Sequence, residues 1–234
     1  MKLFPPFAIF LLITSTSFAQ NTRDIYRIKE GTDIAKSFPY SDKFQFEEFR
    51  DGMVYFRNGR TSKAKLNYSM VHGEVLFISA QKDTLLLTEN DFIERIQMGP
   101  EVFYYMKNHG HLRQKAAFDK VALVEKLFLA VKGNEKYAAY DQYSESSAIS
   151  SYSSYTNANG VKQTLEGSGK VLLKKQSMYF LMDRNKRFSP ANKASLLRIF
   201  PSHKKNIMAY VKDQSIDFDS EADLVKVLAY SNSL

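Results

Sequence analysis

His109 and His111 stand two residues apart, so a strand running through them would turn both imidazoles to one face, with His72 as a conceivable third metal ligand. Asn108-His109-Gly110 is itself a turn sequence, however, and a lone H-x-H is far more often structural than metallated, so no metal ligand is assigned. Nucleophilic hydrolysis needs a Ser or Cys beside a base and an oxyanion hole. The chain has no Cys and no G-x-S-x-G elbow. Glu166-Gly167-Ser168-Gly169-Lys170 has the outline of a phosphate loop, yet Thr164 stands where the upstream Gly is required and Val171 where Ser or Thr must reach Mg²⁺. It reads as a turn. Glu47-Glu48 and the Asp217/Asp219 pair could serve a glycosidase only if two carboxyls faced each other across about 5–10 Å, which spacing alone does not supply. Asp219 or Ser220 has a better use as a helix cap. No catalytic residue and no cofactor is assigned.

Charge is more informative than motif. The 234 residues carry a net +8, and the excess is local: positions 161–214 hold twelve Lys and Arg against only Glu166, Asp183 and Asp213. Lys174, Lys175, Arg184, Lys186, Arg187, Lys204 and Lys205 are therefore the candidate contacts for an anionic partner, whose attraction would weaken with salt. The bland reading is that these are the solvated faces of a hairpin and helices. Nucleic acid is not the expected partner. Most aromatics, such as Tyr55, Phe77, Phe103, Phe180 and Phe200, fall at core spacings rather than forming an exposed stacking platform.

Positions 1–19 read as a cleavable signal peptide: Lys2 supplies the positive start, 7–13 the short apolar run, and Ser17-Phe18-Ala19 a small-x-small cleavage site before Gln20. That run is too short to span a bilayer, and no later stretch reaches the roughly 20 apolar residues a spanning helix requires. Without Cys there is no lipoprotein attachment point and no disulfide, so a periplasmic or extracellular protein must rely on packing alone. Export also disfavours nucleotide metabolism, cytosolic redox work and transcription.

The elements that must position any site are legible as periodicity. Runs at 52–56, 63–68, 74–79, 84–87, 92–97, 101–106 and 121–131 read as strands, punctuated by Asn58-Gly59, His72-Gly73, Gln81-Lys82-Asp83 and Asn108-His109-Gly110. Ala64, Leu66 and Tyr68 alternate with Lys63, Lys65 and Asn67, which gives one face to a core and the other to water. Connections this short favour antiparallel neighbours over crossovers. Positions 133–160, rich in Tyr and Ser, read as a connection, with Tyr137, Tyr140 and Tyr143 at helical spacing. A further strand pair follows around 171–173 and 178–182, where Lys174-Lys175 either turns the chain or continues one long bent strand. Ser189-Pro190 reads as a helix start, Pro201-Ser202 as a stop and restart, and Leu224, Val227 and Leu228 as the stripe of a third helix. The predicted fold is α+β. An antiparallel β-meander, as a curved sheet or partly closed barrel, occupies 20–132, and a basic strand–helix module of 161–234 is expected to pack on the sheet.

The segments GMVYFRNGRTSKAKLNYSMVHGEVLFI (52–78) and LLRIFPSHKKNIMAYVKDQSIDFDSEADLVKVLAY (196–230) resemble a family of uncharacterised secreted proteins of Bacteroidota-type Gram-negative bacteria. The resemblance implies compartment and source and carries no activity. The expectation is a noncatalytic exported protein that binds or scaffolds an anionic envelope lipid, glycan or protein. A hydrolase with a site assembled from distant residues and a small-ligand carrier inside a closed barrel are the alternatives.

Overall fold

The structure, a computed structural model, describes residues 25–29, 38–88, 90–137, 143–146 and 170–234. The expected signal peptide and most of the Tyr/Ser-rich connection lie outside them. Strands β1 (Ile25–Lys29), β2 (Arg50–Phe56), β3 (Thr61–Ser69), β4 (Glu74–Ile78), β5 (Thr84–Leu86), β6 (Ile93–Met98), β7 (Glu101–Met106), β8 (Gly110–Ala117), β9 (Val121–Tyr137), β10 (Tyr143–Ser146), β11 (Lys170–Asp183) and β12 (Phe188–Pro190) form one antiparallel sheet. The order β1-β11-β9-β8-β7-β6-β2-β3-β4-β5 leaves β1 and β5 as edges, so the sheet is curved and open. A helical turn, α1 (Tyr40–Lys43), lies between β1 and β2, and α2 (Lys193–Ile199), α3 (Lys204–Asp213) and α4 (Glu221–Ser233) close the chain. No helix among the described residues is long and apolar enough to cross a membrane.

Asn58-Gly59 and Asn108-His109-Gly110 turn as their residue types demand, with left-handed backbone at Gly59, Asn108 and Gly110. Leu66 and Tyr68 of β3 point into a core with Val54, Ile96, Met98 and Phe103, and Tyr68 stacks on Phe103 at 5.5 Å. Arg113 lies opposite Phe103 in the register, so the same face continues across β8 and β9 to Val121, Leu123 and Leu181. There the helices cover it: Leu196, Phe200, Ile207, Leu224, Val227 and Leu228 are all buried against those strands. Between the two apolar patches the face is bridged by ions. Arg113 Nη2 donates to Glu125 Oε2 at 2.7 Å, Ser177 Oγ donates to Glu125 Oε1 at 2.5 Å, and Lys115 meets Glu221 of α4 at 3.1 Å. Burial alone would raise the Glu125 carboxyl, but the hydrogen bonds from Ser177 and Arg113 outweigh it and hold the group below its ordinary range.

Three expectations are corrected. Gly110–Ala117 is a strand that the apolar pattern does not announce, because His111, Arg113 and Lys115 occupy one of its faces and find carboxylates on other strands and on α4. Ser189-Pro190 does not open a helix: Ser189 pairs with Leu181 as part of β12, and Asn192 caps α2 by accepting from the Ser195 N–H at 2.9 Å. Tyr137 and Tyr143 lie opposite each other in the β9–β10 pairing rather than along a helix, so β9 runs on into the expected connection. Lys174-Lys175 continues β11 as one long strand, and because β11 pairs with β9 along its length, the basic module shares the meander's sheet. The third C-terminal helix is capped by Ser220, whose Oγ accepts from the Asp223 N–H at 3.4 Å. Ser220→Ala is expected to lower stability by about 1 kcal/mol, read as a lower urea midpoint; an unchanged midpoint would show the cap idle.

Candidate functional site

The seven basic candidates do not form one cluster. Lys174 and Lys175 lie midway along β11, whereas Arg184, Lys186 and Arg187 lie in the turn after it; nine residues of strand from Lys175 to Arg184 span roughly 30 Å. Two of the turn residues already have acidic partners. Arg184 donates to the Asp119 carboxylate at 2.5 Å and to its backbone carbonyl at 2.8 Å. Lys186 donates to Glu94 at 2.6 Å and holds that carboxyl below its usual range. The turn at Asp119 and Lys120 then links this end of the sheet to the helices, for Lys120 Nζ stands 5.6 Å over the Phe200 ring, just ahead of α3.

Lys204 and Lys205 open α3, and its inner face buries Ile207 with Tyr210 and Val211 packed beside it. The exposed side of α3, from its flank outward, carries Lys204, Lys205, Met208 and Lys212, which the i, i+3 and i, i+4 spacings bring together. None of these three lysines is paired with a carboxylate among the described residues. Met208 is 41% exposed in their midst. The first turn of α3 has no acidic residue, and its N-cap, His203, makes no side-chain capping bond. Two lysines at the positive end of a helix oppose its dipole, so their position costs a few tenths of a kcal/mol rather than stabilising the helix. It also concentrates positive potential at the N-terminal end of the helix.

The three sequence-selected histidines separate. His72 Nδ1 lies 2.9 Å from Ser69 Oγ, and His109 sits in the turn with its ring edge-on to Phe180, the centroids 4.9 Å apart. His111 begins the strand beyond the turn and is fully buried. Positive φ at Asn108 and Gly110 breaks the alternation that would have aligned His109 with His111. No group of three His, Asp or Glu side chains gathers as metal ligands among the described residues.

His111 instead joins a polar seam where the β3–β4 turn folds onto β8 and β9. Its Nδ1 is held by Glu74 Oε2, and its backbone N–H donates to the Gly73 carbonyl at 3.2 Å. Lys126 Nζ donates to the Gly73 carbonyl at 2.5 Å, and the Tyr68 hydroxyl to the Leu127 carbonyl at 2.6 Å. Gly110 is required here: a Cβ would meet the Gly73 carbonyl oxygen at 2.5 Å and Glu74 Oε1 at 2.8 Å. Burial pushes Tyr68 well above its ordinary value, with the Glu74 and Glu125 charges adding to the effect. Burial brings Lys126 down to about 8, opposed only by Glu74. These residues are 37 and 53 positions apart in sequence, and no local signal links them.

The Lys126 shift fixes a sign. Below pH 8 the ammonium is present in both folded and unfolded chains, and the folded state bears its desolvation in full. Between pH 8 and the ordinary 10.5 the folded chain loses the proton first, so this group's contribution to stability rises with pH, by about 3 kcal/mol over the window. Urea titrations of wild type and Lys126→Met from pH 7 to 10.5 measure it. The wild type should gain on the variant as pH rises; a constant difference would mean that the amine is solvated.

Beside the seam opens a cleft of about 490 Å³. Leu86, Leu87, Thr88 and Asn90 form one wall, Tyr105, Lys107 and Asn108 the other, and Glu74 is the one buried residue of the lining among the described residues. Comparison with protein-family models, curated proteins and solved structures finds no match to this chain.

Proposed function

We propose that this is an exported, noncatalytic protein of a bacterial envelope that binds or scaffolds an anionic envelope component through its basic C-terminal surface. The outer face of α3 carries the reading: three lysines with no carboxylate partner among the described residues surround an exposed methionine, two of them placed against the helix dipole. Residues that disobey local stability rules without a compensating contact are the ones expected to serve a partner. Each Lys near an anionic headgroup surface contributes about 1 kcal/mol, and Met208 is placed to enter the interface between them. Arg187, exposed at the neighbouring end of the sheet, extends the surface. Arg184 and Lys186 would join it only by giving up Asp119 and Glu94.

Co-sedimentation of the protein beginning at Gln20 with phosphatidylglycerol and phosphatidylcholine vesicles across a salt series tests the reading. Binding confined to the anionic vesicles and lost as salt rises is the expected result. Equal binding to both, or none to either, would make these lysines a solvated face.

A further inference from the structure

The lining of the cleft beside the seam includes hydrogen-bond acceptors without a donor among the described residues. Asn90 Oδ1 is buried with no such partner, while the Asn90 side chain hydrogen-bonds Tyr105. Glu74 commits Oε2 to His111, and its Oε1 carries no hydrogen bond among the described residues. A buried acceptor left unpaired is costly, and the cleft it lines is of the size that small-molecule sites occupy, roughly 300–1,000 Å³. The ligand that completes it must therefore donate.

Charge narrows the class. The Glu74 carboxylate is already engaged by the His111 imidazole and faces the Lys126 ammonium, and Lys107 stands exposed in the opposite wall. A cation would meet Lys107 in the wall and the charge of Lys126 behind Glu74. An anion would meet Glu74 and Asp91, both of which act on Tyr105. A neutral ligand avoids both repulsions. The walls add that one side of it should be apolar, since Leu86, Leu87 and the Tyr105 ring flank the two acceptors. Neighbouring hydroxyl donors on a rigid ring with an apolar C–H face describe a saccharide.

We infer that this cleft binds an uncharged mono- or disaccharide unit, with two hydroxyls donating to Glu74 Oε1 and Asn90 Oδ1 and the ring packed against Leu86, Leu87 and Tyr105. The site shares no residue with the α3 surface, so each can fail without the other.

The test is an amide ¹⁵N–¹H NMR titration with glucose, galactose, N-acetylglucosamine and chitobiose, each to about 50 mM, well above millimolar dissociation constants. Putrescine and inorganic phosphate serve as the charged probes. At least one sugar should produce saturable shifts at Thr88, Asn90, Tyr105 and Asn108, and Asn90→Ala should weaken it about tenfold while leaving the rest of the spectrum in place. No saturable shift with any of the four sugars would overturn the assignment. So would shifts confined to putrescine or phosphate, or equal sugar affinity in Asn90→Ala.

Discussion

His111→Ala is expected to lower folding stability by about 3–5 kcal/mol, the cost of removing one partner from a buried ionisable pair. His111 is fully buried, and Glu74, 7% exposed, would lose the group that holds its carboxylate in place. A cavity opens at the same time beside Tyr105, whose ring lies edge-on to the imidazole at 5.6 Å. The loss should concentrate where β4 meets β8, since the remaining ties there are the two bonds onto the Gly73 carbonyl, from the backbone N–H of position 111 and from Lys126 Nζ. Hydrogen exchange should accordingly quicken at Gly73–Val75 and Gly110–Leu112 before it does in the helices. Replacing both partners by leucine should recover much of the loss, because the expense lies in a stranded charge and not in the absence of an ion pair. Urea unfolding of His111→Leu, Glu74→Leu and the double variant closes the cycle. A His111→Ala cost below about 1 kcal/mol would show that the seam is held by its backbone contacts alone.

Reversing Lys204, Lys205 and Lys212 together to Glu should reduce affinity for anionic vesicles about 100-fold or more. Three lysines at about 1 kcal/mol each already account for roughly that factor, and the introduced carboxylates add repulsion. The fold should survive the change. All three side chains are exposed and unpaired among the described residues, and Glu in the first turn of α3 suits the helix dipole better than Lys does. An unfolding midpoint within about 1 kcal/mol of wild type, with vesicle binding gone, would assign the effect to the surface. The residual binding of the variant should no longer fall with salt. Vesicle binding unaltered by the triple reversal would remove the α3 face as the working surface.

Much of the architecture is written locally. Alternation at Ala64, Leu66 and Tyr68, turn chemistry at Asn58-Gly59, and the helical stripes of Ile207 and of Leu224, Val227 and Leu228 each depend on residues within one or two turns of chain. Such patterns survive into the fold because one face of each element must be removed from water. Strand β8 escaped the same reading for a physical reason. Its His111, Arg113 and Lys115 are polar residues whose partners, Glu74, Glu125 and Glu221, arrive from three other elements. Without the partners the segment reads as solvent-facing. Ser189-Pro190 misled in the opposite way, since a good helix-start pair served equally well at the end of a strand hairpin.

The candidate sites divide along the same line. The clustering of basic residues at 161–214 is a property of composition, visible without coordinates, and so is the spacing that aligns Lys204, Met208 and Lys212 on one helical face. Which lysines stay unpaired is not: Asp119 and Glu94 reach Arg184 and Lys186 from 65 and 92 residues away. The cleft and its seam belong wholly to the tertiary structure. Local periodicity determined the antiparallel strands and the C-terminal helices, because amphipathic patterning acts over a few residues. Only the curl of the sheet brought Glu74, His111 and Lys126 together, because burial makes charges choose partners by distance in space and not by distance along the chain.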